Sequence, residues 1–367
     1  MKRFFASALA AILLIGWLPC ASRAVGTSAA SAVLMDASSG RVLYEQNAHQ
    51  PRLIASITKL MTALVALESG HSLEEQVTIL PEYTQAEGSS IYLKAGETVS
   101  LEVLLYGLML QSGNDAALAV AGWCGGSVEQ FVAQMNKKAR QLGMKNSHFA
   151  NPNGLNAEDH YSTAYDMALL ARACLECREL AQIVATRSIS MEGRSFANHN
   201  KLLWRYQGCI GLKTGYTEKA GRTLVSAAER DGMTLIAVTL NDPDDWRDHT
   251  ALLDYGFSTF RLQQGAQAGE AITKLPVSGG LVLFVPVAPQ RDMCAALAQG
   301  ETLEQELRLT TDHLTAPVEA GQPVGTLVYR IGDQVVDEVP LVCGVGAADC
   351  TAEELSLWQR LTGWLRP

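Results

Sequence analysis

Ser56 and Lys59 stand three residues apart in Ser56-Ile57-Thr58-Lys59, and two short clusters follow them, Ser112-Gly113-Asn114 and Lys213-Thr214-Gly215. A serine hydroxyl is a weak nucleophile until a base takes its proton. Residues three apart on a helix share a face, with Cβ atoms about 6 Å apart, so the Lys59 amine can reach the Ser56 hydroxyl. Lys59 serves as a base only when neutral, which requires burial or a nearby cation, and Lys213 is the candidate cation. Ser112 can relay a proton toward a leaving amine. Asn114 offers a donor and an acceptor that can hold a substrate amide. Lys213 and Thr214 can bind a carboxylate, and Gly215 leaves its strand bare for an extended substrate to pair along. The backbone N–H groups of Ser56 and Tyr216 are the expected oxyanion hole. Singly, each cluster also reads as ordinary structure: a surface Ser and Lys, an interhelical turn, an edge strand with a protective lysine. In this order they compose acyl transfer through a serine.

These side chains need elements to hold them. Residues 31–37 and 41–45 read as strands around a Ser-Ser-Gly turn. Apolar residues at 57, 60, 61, 64, 65 and 67 predict a helix over 55–68. Further helices are expected at 101–110, 115–121, 128–142 and 164–186, with a turn-rich loop at 149–155. Strands follow at 210–216, 223–228 and 234–240, the last two flanking an Asp231-Gly232 hairpin signal. A helix over 244–260 closes this α+β domain, in which the chain leaves a sheet and returns to it. From about residue 267, short β-prone runs such as 281–285, 303–309 and 325–330 predict a β-rich second domain. The tail, 351–367, reads as an amphipathic helix: Thr351 and Glu354 fit a capping box, and Leu357, Trp358, Leu361, Trp364 and Leu365 share a face. Such a face can lie at a membrane surface or dock on its own domain.

Lys2 and Arg3 precede an almost wholly apolar run to residue 18, and Ser22 and Ala24 supply small residues at the positions that determine cleavage. Residues 1–24 are therefore expected to be a secretory signal. The chain has 29 basic and 38 acidic residues; losing Lys2, Arg3 and Arg23 leaves 26 against 38, a formal charge of −12. That balance argues against a nucleic-acid partner, whose phosphates require a basic face. Cys174-x-x-Cys177 reads as two helix residues, because no second pair completes a zinc site. Cys343 and Cys350 can close a small disulfide loop. Among the seven histidines, His199 and His249 are placed nearest the cleft. None has metal-binding spacing, so neither a metal nor another cofactor is expected.

With those residues in place, the sequence resembles the serine-type D-alanyl-D-alanine carboxypeptidases, the low-molecular-mass penicillin-binding proteins. The resemblance runs from about residue 30 to 366. It extends beyond the three clusters to Ala32-Val-Leu-Met-Asp-Ala37, residues 104–117, Asn151-Pro-Asn-Gly-Leu155, Asp166-Met-Ala-Leu-Leu170 and Gly211-Leu-Lys-Thr-Gly-Tyr-Thr217. It implies that Ser56 is acylated, that Lys59 is its base, and that Ser112 and Asn114 complete the second motif. Lys213, Thr214 and Gly215 become the carboxylate-binding strand. An arginine that some members place in the cleft after the last strand is matched by Arg247.

The implied fold is α+β, a transpeptidase-like antiparallel sheet with an inserted helical subdomain. A small all-β sandwich domain and a C-terminal amphipathic helix follow. The implied divisions are a signal over 1–24, a catalytic domain over 25–264, a β-rich domain over 265–350 and a tail over 351–367. The implied reaction removes the terminal D-alanine from a peptidoglycan stem pentapeptide outside the cytoplasmic membrane, with β-lactams as covalent inhibitors. A class A β-lactamase would need a glutamate to activate the deacylating water, and no segment clearly supplies one. A non-catalytic penicillin-binding sensor or scaffold, or an endopeptidase acting on crosslinks, would use the same motifs.

Overall fold

The computed structural model describes residues 25–280 and 282–349. The expected signal, the Cys350 partner of the suggested disulfide and the tail helix lie outside the described residues. The six described cysteines are free thiols.

Five antiparallel strands form the central sheet: β1 (Ser31–Asp36), β2 (Val42–Gln46), β3 (Cys209–Thr217), β4 (Gly221–Arg230) and β5 (Met233–Leu240). Their order is β2-β1-β5-β4-β3, so the chain leaves after β2 and returns at β3. Alternation along the strands divides two cores. Val33, Met35, Val225, Ile236 and Val238 face the helical block. Leu34, Leu224, Leu235 and Ala237 face Leu252 and Leu253 of the closing helix. With both faces covered, β1 is buried along its whole length.

The helices are α1 (Lys59–Leu67), α2 (Leu101–Leu110), α3 (Asn114–Gly125), α4 (Val128–Gln141), α5 (Ala164–Glu176), α6 (Arg178–Ala185), α7 (Leu202–Arg205) and α8 (Asp245–Thr259). Three expectations change. Residues Ala55–Thr58 form a 3₁₀ turn rather than the start of α1, because Ala55 takes φ +50°. The helix expected over 164–186 is two, broken where Cys177 is extended at ψ 107°; its carbonyl accepts the first bond of α6 from Ala181 N at 2.9 Å. The strand expected at 281–285 is Phe284–Pro289.

The β-rich domain holds a six-stranded sheet around Val285, Val287, Leu327, Tyr329, Val339 and Leu341. It is tied to the first domain beside β1: Ala296 N donates to Asp36 Oδ2 at 3.1 Å, and Arg41 meets Glu301 at 2.6 Å.

Candidate active site

The 3₁₀ turn presents Ser56, and eclipsing of residues three apart in that geometry brings Lys59 beside it. The Lys59 amine is 2.9 Å from Ser56 Oγ, 2.7 Å from Asn114 Oδ1 and 2.6 Å from Asn153 O, and the side chain is fully buried. A neutral amine has two hydrogens and one lone pair. The Asn114 and Asn153 oxygens can only accept, so they take the two hydrogens. The lone pair then faces the Ser56 hydroxyl, as a base must. Burial first, and the Lys213 charge second, hold the Lys59 amine well below its ordinary value, against a smaller opposing pull from Asp115.

Each neighbour is fixed in turn. Asn114 is the first residue of α3; its N–H donates to Ser89 O at 2.7 Å and its side-chain amide donates to Glu87 O. Asp115 binds the same loop, accepting from Ser90 Oγ at 2.6 Å and from Ile91 N and Leu93 N at 3.0 Å each. Beneath the nucleophile, buried His160 accepts from Ala150 N through Nδ1 at 3.1 Å, which leaves the proton on Nε2 to donate to Thr58 Oγ1 at 2.7 Å. Thr58 passes its own hydrogen to Ala55 O at 2.8 Å. Burial brings His160 down to about 4, so the ring is neutral at neutral pH. Ala55 (φ +50°) and Ser112 (φ +61°) hold left-handed backbone, a cost of about 1–3 kcal/mol each that tertiary contacts must offset.

The sheet edge closes the other wall. Lys213 is buried, donates to Thr214 O at 2.9 Å, and is brought down to about 7 by burial. A Cβ at Gly215 would lie 2.4 Å from Thr223 Oγ1, 2.9 Å from Ser56 N and 3.1 Å from Ile57 N. This glycine therefore lets β3 press directly on the nucleophile's backbone, a tighter requirement than room for substrate.

Between the walls lies a cleft of ≈ 320 Å³ lined by Ser56, Ser89, Ser112, His199, Lys201, Thr214, Gly215, Tyr216, Arg222, Asp245 and Trp246. The cleft thus gathers Ser56, Ser112, Thr214, Gly215 and Tyr216, while Lys59, Asn114 and Lys213 stand behind them. Ser112 Oγ and Arg222 Nε are buried without a partner among the described residues. His199 is on the wall, lowered by burial and then by Lys213. His249 is not; it is buried and neutral between Ser226 and Thr239, at 2.6 and 3.0 Å.

Arg247 is not on the wall either. Its side chain is two-thirds exposed and pairs with Asp244 at 3.0 Å and Asp248 at 3.3 Å. The arginine in the cleft is Arg222 of β4, held by Asp245 Oδ1 at 2.7 Å and lying 5.7 Å from the Trp246 ring centre. The first turn of α8 turns Asp245 and Trp246 inward and Arg247 out. An arginine after the last strand was visible in the sequence, but which arginine enters the cleft depends on strand pairing.

Residues 20–244 match the D-alanyl-D-alanine carboxypeptidase family, and residues 260–346 match the C-terminal domain of penicillin-binding protein 5. The chain belongs to the D-alanyl-D-alanine carboxypeptidase family. It is 32% identical to the D-alanyl-D-alanine carboxypeptidase DacF of Bacillus subtilis over 364 residues, 93% of each chain. It is 32% identical to DacA of Escherichia coli over 331 residues, 86% of this chain and 82% of that one. Among solved structures, penicillin-binding protein 5 from Haemophilus influenzae superposes with a TM-score of 0.76 at 30% identity, covering 88% of this chain and 98% of that one. The carboxypeptidase fold, a transpeptidase-like domain followed by a β-rich domain, is thus common to this chain and that structure.

Proposed function

We propose that this chain is a serine D-alanyl-D-alanine carboxypeptidase that removes the terminal D-alanine from peptidoglycan stem pentapeptides, with Ser56 as its nucleophile. The observation that carries the reading is the Lys59 amine, buried among three neutral oxygens and 2.9 Å from Ser56 Oγ. Ser56 Oγ attacks the carbonyl between the two D-alanines as its proton moves to Lys59. The Ser56 and Tyr216 N–H groups receive the oxyanion. When the C–N bond breaks, the proton passes through Lys59 and Ser112 to the departing amine, and D-alanine leaves. Water attacks the acyl-enzyme, its proton again taken by Lys59, and frees the shortened peptide and the Ser56 hydroxyl.

Asn114 orients the peptide amide. Lys213, Thr214 and Arg222 receive the terminal carboxylate, which favours a carboxypeptidase over an enzyme cutting within crosslinks. β-Lactams acylate Ser56 and leave slowly. Among the described lining residues the one acid is Asp245, engaged by Arg222, and no glutamate is present to drive rapid lactam hydrolysis. Labelling with a fluorescent penicillin tests the nucleophile: a label mapped to Ser56 and lost in Ser56→Ala is expected. Labelling that persists in that variant contradicts it, and fast turnover of the label favours a β-lactamase.

The basic, apolar start of the chain supports export with removal of residues 1–24, which puts the enzyme outside the cytoplasmic membrane. Residues 351–367 are proposed to rest on that membrane. Deleting them is expected to abolish liposome binding; unchanged binding refutes the anchor.

A further inference from the structure

Ser28 joins the beginning of the described chain to the start of α8. Its backbone N–H donates to Asp248 Oδ2, and its hydroxyl lies 2.7 Å from that oxygen and 3.0 Å from Asp242 Oδ1. Both carboxyls are buried. The hydroxyl donates to Asp248 Oδ2 and, at the longer distance, is shared with Asp242 Oδ1. The two acids sit in different electrostatic surroundings. Burial raises Asp242; at Asp248 burial is outweighed by the Ser28 hydroxyl and amide and by Arg247, which lower it. Ser28 thus ties the end of β5 and the first turn of α8 together through one side chain and one amide. The other groups around the pair are Arg247, 3.3 Å from Asp248 Oδ1, Asp244, whose N–H donates to Asp242 Oδ1 at 3.0 Å, and the buried neutral His249.

Asp242 and Asp248 bracket the two α8 residues on the cleft wall. Asp242 N donates to Arg222 O at 3.0 Å, Asp245 holds the Arg222 guanidinium and Trp246 lies beside it. Fixing both ends of this segment fixes the arginine. We infer that Ser28 is a positioning residue, latching segment 241–248 so that Asp245 and Trp246 hold Arg222 over the cleft. This rests on the reading of that cleft as the carboxypeptidase site.

The test compares wild type with Ser28→Ala, Ser28→Thr and Asp242→Asn in the exported chain. It measures amide hydrogen exchange over 241–248 together with KM and kcat for a peptide ending in D-Ala-D-Ala. Ser28→Ala is expected to speed exchange and raise KM about fivefold with kcat within about twofold, and to lose that effect on KM in an Arg222→Ala background. Ser28→Thr, which keeps the hydroxyl, and Asp242→Asn, whose amide oxygen still accepts from it, are expected to stay near wild type. Unchanged exchange, unchanged KM or full additivity with Arg222→Ala overturns the inference, as does an Asp242→Asn variant that loosens the segment as much as Ser28→Ala. A wild-type chain that releases no D-alanine overturns the reading of the cleft instead, and the exchange comparison then decides whether the latch holds the segment.

Discussion

Lys59 Nζ lies 2.9 Å from Ser56 Oγ, and each of its hydrogen-bond partners is a neutral oxygen. That pairing requires an amine that can give up its proton. Arginine cannot do so. Lys59→Arg is therefore expected to lose as much Ser56 acylation as Lys59→Gln, on the order of 10²–10⁴-fold in the rate of penicillin labelling. Near-normal labelling by the arginine variant would show that position 59 acts as a cation rather than a base.

Lys213 contributes to keeping Lys59 neutral, second to burial. Removing its charge lets Lys59 hold a proton to higher pH. The rising limb of labelling rate against pH is expected to move upward in Lys213→Ala, and stopped-flow acylation across pH reads it directly. In the wild type, kcat/KM is expected to fall as pH climbs past about 7, where free Lys213 loses the charge proposed to receive a carboxylate.

Arg222, held by Asp245, is the cleft arginine, and Arg247 is an exposed ion-pair residue. A hydrogen bond to a charged group contributes about 1.5–3 kcal/mol, which predicts about a ten- to hundredfold rise in KM for Arg222→Ala on a free-acid peptide. The same variant should change little on a peptide whose terminal carboxylate is amidated. Arg247→Ala is expected to leave KM within about twofold. Steady-state kinetics on the two peptides separate the arginines.

His160 and His249 are buried and neutral, brought down to about 4 and about 3 by burial. The unfolded chain protonates both near pH 6.5, while the folded chain does so only near those lower values. Stability is therefore full above about pH 6.5 and is lost as pH falls toward 3–4, by about 2 kcal/mol per histidine at pH 5. Urea unfolding at pH 7 and pH 5 is expected to show the loss, and His249→Gln to remove about half of it. Equal stability at the two pH values contradicts the assignment.

The three motifs were legible because each is continuous in sequence and its residue types declare their chemistry. The return of the chain to the sheet was legible from the hairpin signal at Asp231-Gly232 and from the apolar runs around it. Two of the Lys59 partners were not: Asn114 was read only as a substrate contact, and Asn153 contributes a backbone carbonyl, which any residue carries. Gly215 was read for the space it leaves, yet the atoms it makes way for, Thr223 Oγ1 and Ser56 N, come from two distant segments. The cleft arginine was misassigned for the same reason: the register of β4 against β5, not proximity in sequence, sets Arg222 beside Asp245. Cys177 carries no breaker signal, and the helix there is interrupted by backbone geometry that composition does not report.

The central claim is that Ser56 turns over a D-alanyl-D-alanine terminus. Release of D-alanine from a pentapeptide ending in D-Ala-D-Ala, measured for the wild type and for Ser56→Ala, tests it most directly. Catalytic release by the wild type and none by the variant is the predicted result. Penicillin labelling at Ser56 without D-alanine release would contradict the claim and make the chain a sensor rather than a peptidase.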